Sequence, residues 1–549
     1  MTKPSLLAAS IAFASVTSVQ AALFTPLDAR GMAMGHTGVA SAQRAHAPAY
    51  IPSLLAQADE NENFALLFPQ LGIQVRDEEE LASTAEDISD DLQPRLEDLI
   101  NGTSGNSGFE QNIEQLDTAV RAFNQAFLDA LNSSGNITQQ LDNLEAANNG
   151  LTTALDNVEQ SLEEVDSVSS EITEALRAIS GNPVSGRLGV SGAMAFPGKS
   201  FAGAISMRGH ATFSGRALFS DNDLGLIDAY APAGLQYTRI AQEANEDVSR
   251  ALDLARNSTT QPELILQSEL NRDDNNNGQR DLEEQLDAIL GFNYTSDQGV
   301  EIFRDGQLTD NASDPDLDST VEVVALAVAE VGLSFAREFS IANRAVAIGV
   351  TPKIQRISTF HYVTEVDNEE DVEIDDIEDS REDYSSFNLD IGASMRFGEL
   401  KRLTAGIVVK DILGGDYDYQ DTEVRTGLNL PNPAIVKGDT ISLSPQVRAG
   451  LSYSDGSTTL AVDLDLLEND PVAYENPTQF LAFGAEFDLW QTIQLRGGSR
   501  ANLAATDSDI VSLVFGVSPF GIHLDLGVVA NPSKLEKEAG VALETGFYF

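Results

Sequence analysis

The sequence predicts an all-β transmembrane barrel of about fourteen antiparallel strands, with an N-terminal hatch and large helical extracellular insertions. Three observations predict it. Apolar and polar residues alternate repeatedly through the C-terminal half. The links between alternating runs are short on one side and long and acidic on the other. The final run, "GVALETGFYF", ends the chain on an aromatic strand.

Alternation with period two places successive side chains on opposite faces of a strand. In "RAVAIGVTPKIQ", Val346, Ile348, Val350 and Ile354 share one face, and Ala347, Gly349, Thr351, Lys353 and Gln355 share the other. In "ISLSPQVRAGLSY", Ile441, Leu443, Val447, Leu451 and Tyr453 oppose Ser442, Ser444, Gln446, Arg448 and Gly450. The polar faces of these and later runs carry Lys353, Lys410, Arg448, Asp463, Asp465, Arg496, Arg500, Asp525 and Glu544, the charges of a hydrated lumen. His523 shares the polar face of its run with Asp525 and is expected to make a lumen hydrogen bond.

Fourteen strands are expected: 63–75, 187–196, 201–213, 320–339, 345–363, 386–397, 403–412, 440–453, 459–467, 479–489, 492–501, 510–518, 522–529 and 540–549. An even count puts both termini on the periplasmic side. "SIANR", "GELKR", "SDGST" and "SPFG" are the short turns; residues 364–384, 414–438 and 468–477 are long acidic loops. Phe547 and Phe549 on the last strand are the expected signal to the outer-membrane assembly machinery, with outer-membrane lipid around the wall.

Before the barrel, residues 1–21 read as a secretory signal peptide. Lys3 supplies the charge, residues 6–16 the apolar core, and Val19 and Ala21 the small residues at the cleavage site. The expected location is the bacterial outer membrane. Residues 22–62 are the hatch, 63–75 the first strand, 187–213 a barrel hairpin, and 320–549 the rest of the barrel.

The insertion at 76–186 is helical. Ile113, Leu116, Val120, Phe123 and Phe127 form one apolar stripe, and residues 137–179 form a longer one. "NSSGN" at 132–136 separates them, so a self-contained antiparallel hairpin or coiled coil is expected. The longer helix would extend about 65 Å. The second insertion, 214–319, contains "DDNNNGQRDLEE". Asp273, Asn275, Asn277, Gly278, Asp281 and Glu284 fit the calcium-loop pattern of alternating oxygen ligands, a turning Gly and a terminal Glu, with Gln279 giving its carbonyl. Arg280 stands where an aliphatic residue is usual. Calcium is the possible cofactor; no other is expected.

The chain carries 86 acidic and 33 basic residues, a net charge of -53, which argues against a nucleic-acid partner. It has no Cys, so disulfides and thiol chemistry are excluded. Its five His, at 36, 46, 210, 361 and 523, form no metal-protease spacing, and no G-x-S-x-G elbow or phosphate loop occurs. No enzymatic activity is expected.

"ARGMAMGHTGVASAQRAHAPAYIPSLLA", residues 29–56, is a small-residue segment suited to threading a lumen. Its start resembles that of the FadL-like outer-membrane proteins, in which a Gly-rich "MGGxGVA" run precedes an "NPA" motif. Within that group it is most similar to the exported, barrel-type conjugal-transfer TraF-like proteins. His36 replaces the second Gly, and Ile51-Pro52-Ser53 replaces Asn-Pro-Ala. The resemblance implies a fourteen-stranded barrel and a lumen hatch built on Gly31, Met34, Gly35, His36, Gly38 and Pro52. It also implies uptake of a hydrophobic small molecule. The alternative is a conjugal-transfer or adhesion protein whose barrel anchors its extracellular insertions.

Overall fold

The computed structural model describes residue 24 and residues 26–549, apart from 59–61, 78–79, 104–105, 133–135, 310–311, 313–316, 367–373, 421–439, 473, 491, 506–508, 519–521, 536 and 549. The proposed signal peptide lies outside the described residues.

Fourteen antiparallel strands close into one barrel, each paired with its neighbours in sequence and the first with the last. They are β1 (Ala65–Arg76), β2 (Pro183–Phe196), β3 (Ala202–Leu218), β4 (Thr320–Ile341), β5 (Arg344–Glu365), β6 (Arg381–Phe397) and β7 (Leu403–Lys410). Then follow β8 (Gln446–Ser454), β9 (Thr458–Asp465), β10 (Phe480–Leu489), β11 (Ile493–Asn502), β12 (Ile510–Val517), β13 (Ile522–Ala530) and β14 (Glu538–Tyr548). The closing pair runs Ala65 opposite Tyr548 to Arg76 opposite Glu538.

The burial pattern is inside out relative to a water-soluble sheet. Ile354 is 68% exposed, while its neighbours Lys353 and Gln355 are each 3% exposed. Leu526 and Leu543 face outward, while Asp525 and Glu544 are buried. A wall of exposed Leu, Val, Ile and Phe is stable only against hydrocarbon, and full closure leaves no unpaired strand edge. Among the described residues no helix is long and apolar enough to cross a membrane, so the strands are the spanning elements.

One expected strand is corrected. Residues 440–453 do not form a continuous strand. Thr440–Leu443 leaves the wall and pairs with Gly415–Asp418 in a separate two-stranded sheet. Ile441 and Leu443 are consequently buried against Tyr417, Tyr419 and Val472, with Val324, Leu326, Val328 and Ile357 from the inner wall. The local cause is burial: outside the lipid belt an alternating strand gains by folding its apolar face inward.

Two long connections leave the long-loop side. Between β1 and β2 lie α-helices Phe109–Asn132 and Ile137–Ile179; between β3 and β4 lie Tyr230–Arg256, Pro262–Leu270 and Asp281–Leu290. The first insertion's stripes do not satisfy one another alone. Leu116, Phe123, Leu155 and Val158 share a core with Tyr237, Ala241, Val248, Leu266 and Ile289 from the second insertion. Asn148 Nδ2 also donates to Ser249 Oγ at 2.8 Å, and Thr152 and Asn245 bond across the same seam. The expected self-contained hairpin is thus one part of a single helical body built by both insertions.

Candidate functional site

The barrel's lumen is occupied by the chain's own N-terminal segment. Residues 29–33 form a short helix, 47–50 another and 52–57 a 3-10 turn; nearly every described residue from 24 to 58 is buried. Asp28 starts the first helix by accepting the Gly31 N–H at 2.6 Å, which satisfies one of the donors a helix start leaves unpaired.

The six hatch residues expected from the sequence all lie in this plug, against different parts of the wall. Gly31 and Gly38 flank the Tyr50 ring, where a Cβ at either would collide with it. Met34 and Gly35 lie on the inner wall at Gly484 and Gly498; a Cβ at Gly484 would stand 2.5 Å from Thr37 Oγ1. Pro52 rests on Gly349 in the same manner. Paired glycines on plug and wall therefore let backbone meet backbone. His36 has φ of 66°, the left-handed conformation that a Gly adopts without strain. That explains why Gly is the usual residue at this point of the resembling motif. Burial, then the Arg500 and Arg187 guanidinium groups, hold the His36 imidazole well below its ordinary pKa, and its Nδ1 lies 3.3 Å from Arg500.

Polar wall residues hold the plug in place. Asp463 Oδ2 accepts the Gly38 and Val39 N–H groups at 2.8 and 2.9 Å. Ser512 Oγ donates to the Ala33 carbonyl, and Ser452 Oγ to that of Ala40, each at 2.7 Å. Lys410 Nζ donates to the Ala49 carbonyl, also at 2.7 Å. Arg30 pairs with Glu486, and His46 Nε2 lies 2.7 Å from Glu544 Oε1. Phe24 lies under the Arg448 guanidinium at 4.6 Å. The wall's charges also neutralise one another. Arg448 grips Asp465, Arg496 bridges Glu486 and Asp525, Arg500 pairs with Glu538, and Lys353 sits among Glu330, Asp390 and Asp411. His523 is half-buried on the same inner face as Asp525.

The loop 273–284 joins two helices of the helical body. Asp273 accepts the Asn277 and Gly278 N–H groups at 3.1 and 2.9 Å. The Glu284 carboxylate gathers the side-chain amides of Asn275 and Asn277. Gly278 takes φ of 91°, and the Gln279 N–H donates to Asn277 Oδ1. Asp281 instead accepts from the Asp274 N–H and faces Arg272, so it stands apart from the other four side chains. At the other end of the chain, Phe547 packs edge-on to Phe68 at 5.6 Å, and Phe549 lies outside the described residues.

Sequence reasoning missed Asp28, Tyr50 and the partner role of His46. Asp28 carries an N-cap signal, but Tyr50 and His46 join it only through the plug's tertiary turn.

Fold and site together define a plugged, membrane-spanning barrel bearing a helical body. A family model described as "F plasmid transfer operon, TraF, protein" matches residues 48–465, and the chain belongs to that family. No curated protein matches it. Among solved structures it is similar to the Ralstonia pickettii toluene transporter TbuX, at 10% identity over 96% of this chain and 99% of that one, TM-score 0.40. It is also similar to a Pseudomonas aeruginosa FadL homologue at 11% identity over 97% and 99%, TM-score 0.38. The P. putida toluene transporter TodX matches at 7% identity over 96% and 99%, TM-score 0.40.

Proposed function

We propose that this protein is an outer-membrane barrel that admits hydrophobic small molecules and is closed at rest by residues 24–58. The observation that carries the reading is an apolar, tyrosine-bearing cluster packed inside the barrel on the long-loop side. There the inner-wall residues Val324, Leu326, Val328 and Ile357 meet Tyr417, Tyr419, Ile441 and Leu443. A purely hydrated pore gains nothing from such a cluster, whereas an apolar ligand that parts these side chains exchanges water for an apolar lining. In this reading passage requires the plug to shift, because residues 24–58 fill the lumen and pack closely on the wall at Gly349, Gly484 and Gly498. Mass spectrometry of small molecules carried through purification tests this. The expected result is a stoichiometric apolar ligand that is lost when Leu326 and Leu443 are changed to Asn. Detergent and bulk lipid alone, with equal uptake of hydrophobic compounds by cells with and without the protein, would refute it.

A second reading is favoured by the helical body. Its two insertions, 77–182 and 219–319, hold 45 of the 86 acidic residues and 9 of the 33 basic ones. In this reading the barrel anchors a polyanionic surface organ that acts in conjugal contact or adhesion, and the 273–284 loop binds calcium. Replacing both insertions by short turns should then abolish transfer while the barrel still assembles.

A further inference from the structure

We propose that Asp28, His46 and Glu544 form a binding site for a divalent transition-metal ion of zinc's class, which clamps the plug to the last strand. The inference rests on the plug's geometry and is independent of what the barrel admits. One residue caps the first plug helix, one lies in the turn before the second, and one projects inward from β14. All three are at most 2% exposed. His46 Nε2 is 2.7 Å from Glu544 Oε1 and 3.9 Å from Asp28 Oδ1, and the three candidate ligand atoms lie within 4.8 Å of one another. An ion bound at about 2.0–2.2 Å from each donor holds donors about 3.4 Å apart, so side-chain shifts of under about 1 Å close the site.

Charge is the second observation. Close by, Arg30 and Arg496 pair with Glu486 and Asp525. Two buried carboxylates, Asp28 and Glu544, flank the His46 imidazole, with His523 on the adjacent strand. Two carboxylates buried this close repel each other, and a dication held between them turns that repulsion into attraction. The Asp28 carboxylate is also oriented as a ligand would be. The Gly31 N–H bonds Oδ1 and the Tyr50 hydroxyl bonds Oδ2, each at 2.6 Å, in the manner of supporting groups behind a metal ligand. One nitrogen and two oxygen donors suit Zn²⁺ and its first-row neighbours better than Ca²⁺, which prefers oxygen alone.

The test uses full-length protein in detergent, stripped with chelator and titrated with Zn²⁺ in excess Ca²⁺, which occupies oxygen-only sites such as the 273–284 loop. The expected result is one equivalent of Zn²⁺ bound, at least about 100-fold more weakly in His46→Gln and in Glu544→Gln. Heat-modifiable migration on gels shows that each variant barrel is assembled. Because a variant may lose its plug, Co²⁺-loaded wild type is examined as well, and its spectrum should show nitrogen ligation. Zn²⁺ binding unchanged in assembled His46→Gln, no binding at all, or oxygen-only ligation of Co²⁺ would each overturn the proposal and leave a proton-only contact between His46 and Glu544.

Discussion

The barrel and the helical body use the same side chains in opposite senses. Leu526 on β13 is 54% exposed and Leu264 in the helical body is 61% exposed, yet one faces hydrocarbon and the other water. Conversely, Arg496 and Val158 are both buried, the first in a lumen held by ion pairs and the second in an oily helical core. Exposure alone therefore says little about a residue's contribution; the solvent on the other side decides it. In the barrel, apolar residues satisfy the outside and charges specify the inside. In the body the order is the familiar one.

Substitutions that swap these senses break the comparison most clearly. The largest effect is expected from Arg496→Met, which leaves Glu486 and Asp525 buried with less counter-charge and costs about 3–5 kcal/mol. The temperature at which the folded barrel band disappears on gels measures it. Val158→Asp should cost a similar amount but only in the helical body. Circular dichroism would lose helix while the barrel band keeps its transition.

The matched pair Leu526→Arg and Leu264→Arg sharpens the comparison further. The barrel change should cost about 2–4 kcal/mol where it meets the hydrocarbon midplane. The helical change should stay within about 0.5 kcal/mol. Equal effects in reversible refolding into bilayers would show that the wall does not face lipid. A smaller effect is expected from His36→Gly. It removes a left-handed strain of about 1 kcal/mol and also removes the ring beside Arg500, so a shift of about 1 kcal/mol or less in plug release is expected. For the calcium proposal, millimolar Ca²⁺ should raise the helical body's melting temperature, and Glu284→Gln should abolish that rise.

The wall was legible in the sequence because its two solvents are so different. Every second residue from Ala347 to Gln355 reports its face, and the lumen charges Lys353, Arg448, Asp463 and Glu544 stand on the polar side as the alternation requires. The break at residues 444–445 was not legible. Ile441 and Leu443 keep the period of a wall strand, and only the nearness of Tyr417 and Tyr419 turns them inward. The merging of the two insertions was hidden for a similar reason. Periodicity shows that a helix has an apolar face, but it does not name the face that covers it. The plug's small residues signalled close packing, while the meeting of Asp28, His46 and Glu544 spans 516 positions of sequence and has no local signature.

The shared helical core has a mechanical consequence. The body is joined to the barrel at four strand ends, Arg76, Pro183, Leu218 and Thr320, on four consecutive strands. A pull on the body away from the membrane is divided among four chain segments and loads the strand ladders largely in shear, where many hydrogen bonds resist together. A twist of the body reaches all four of these strands together, β1 among them, and β1 pairs with β14, the strand that carries Glu544. Load on the body is thus shared by four adjacent strands of the wall and is not concentrated at a single hinge.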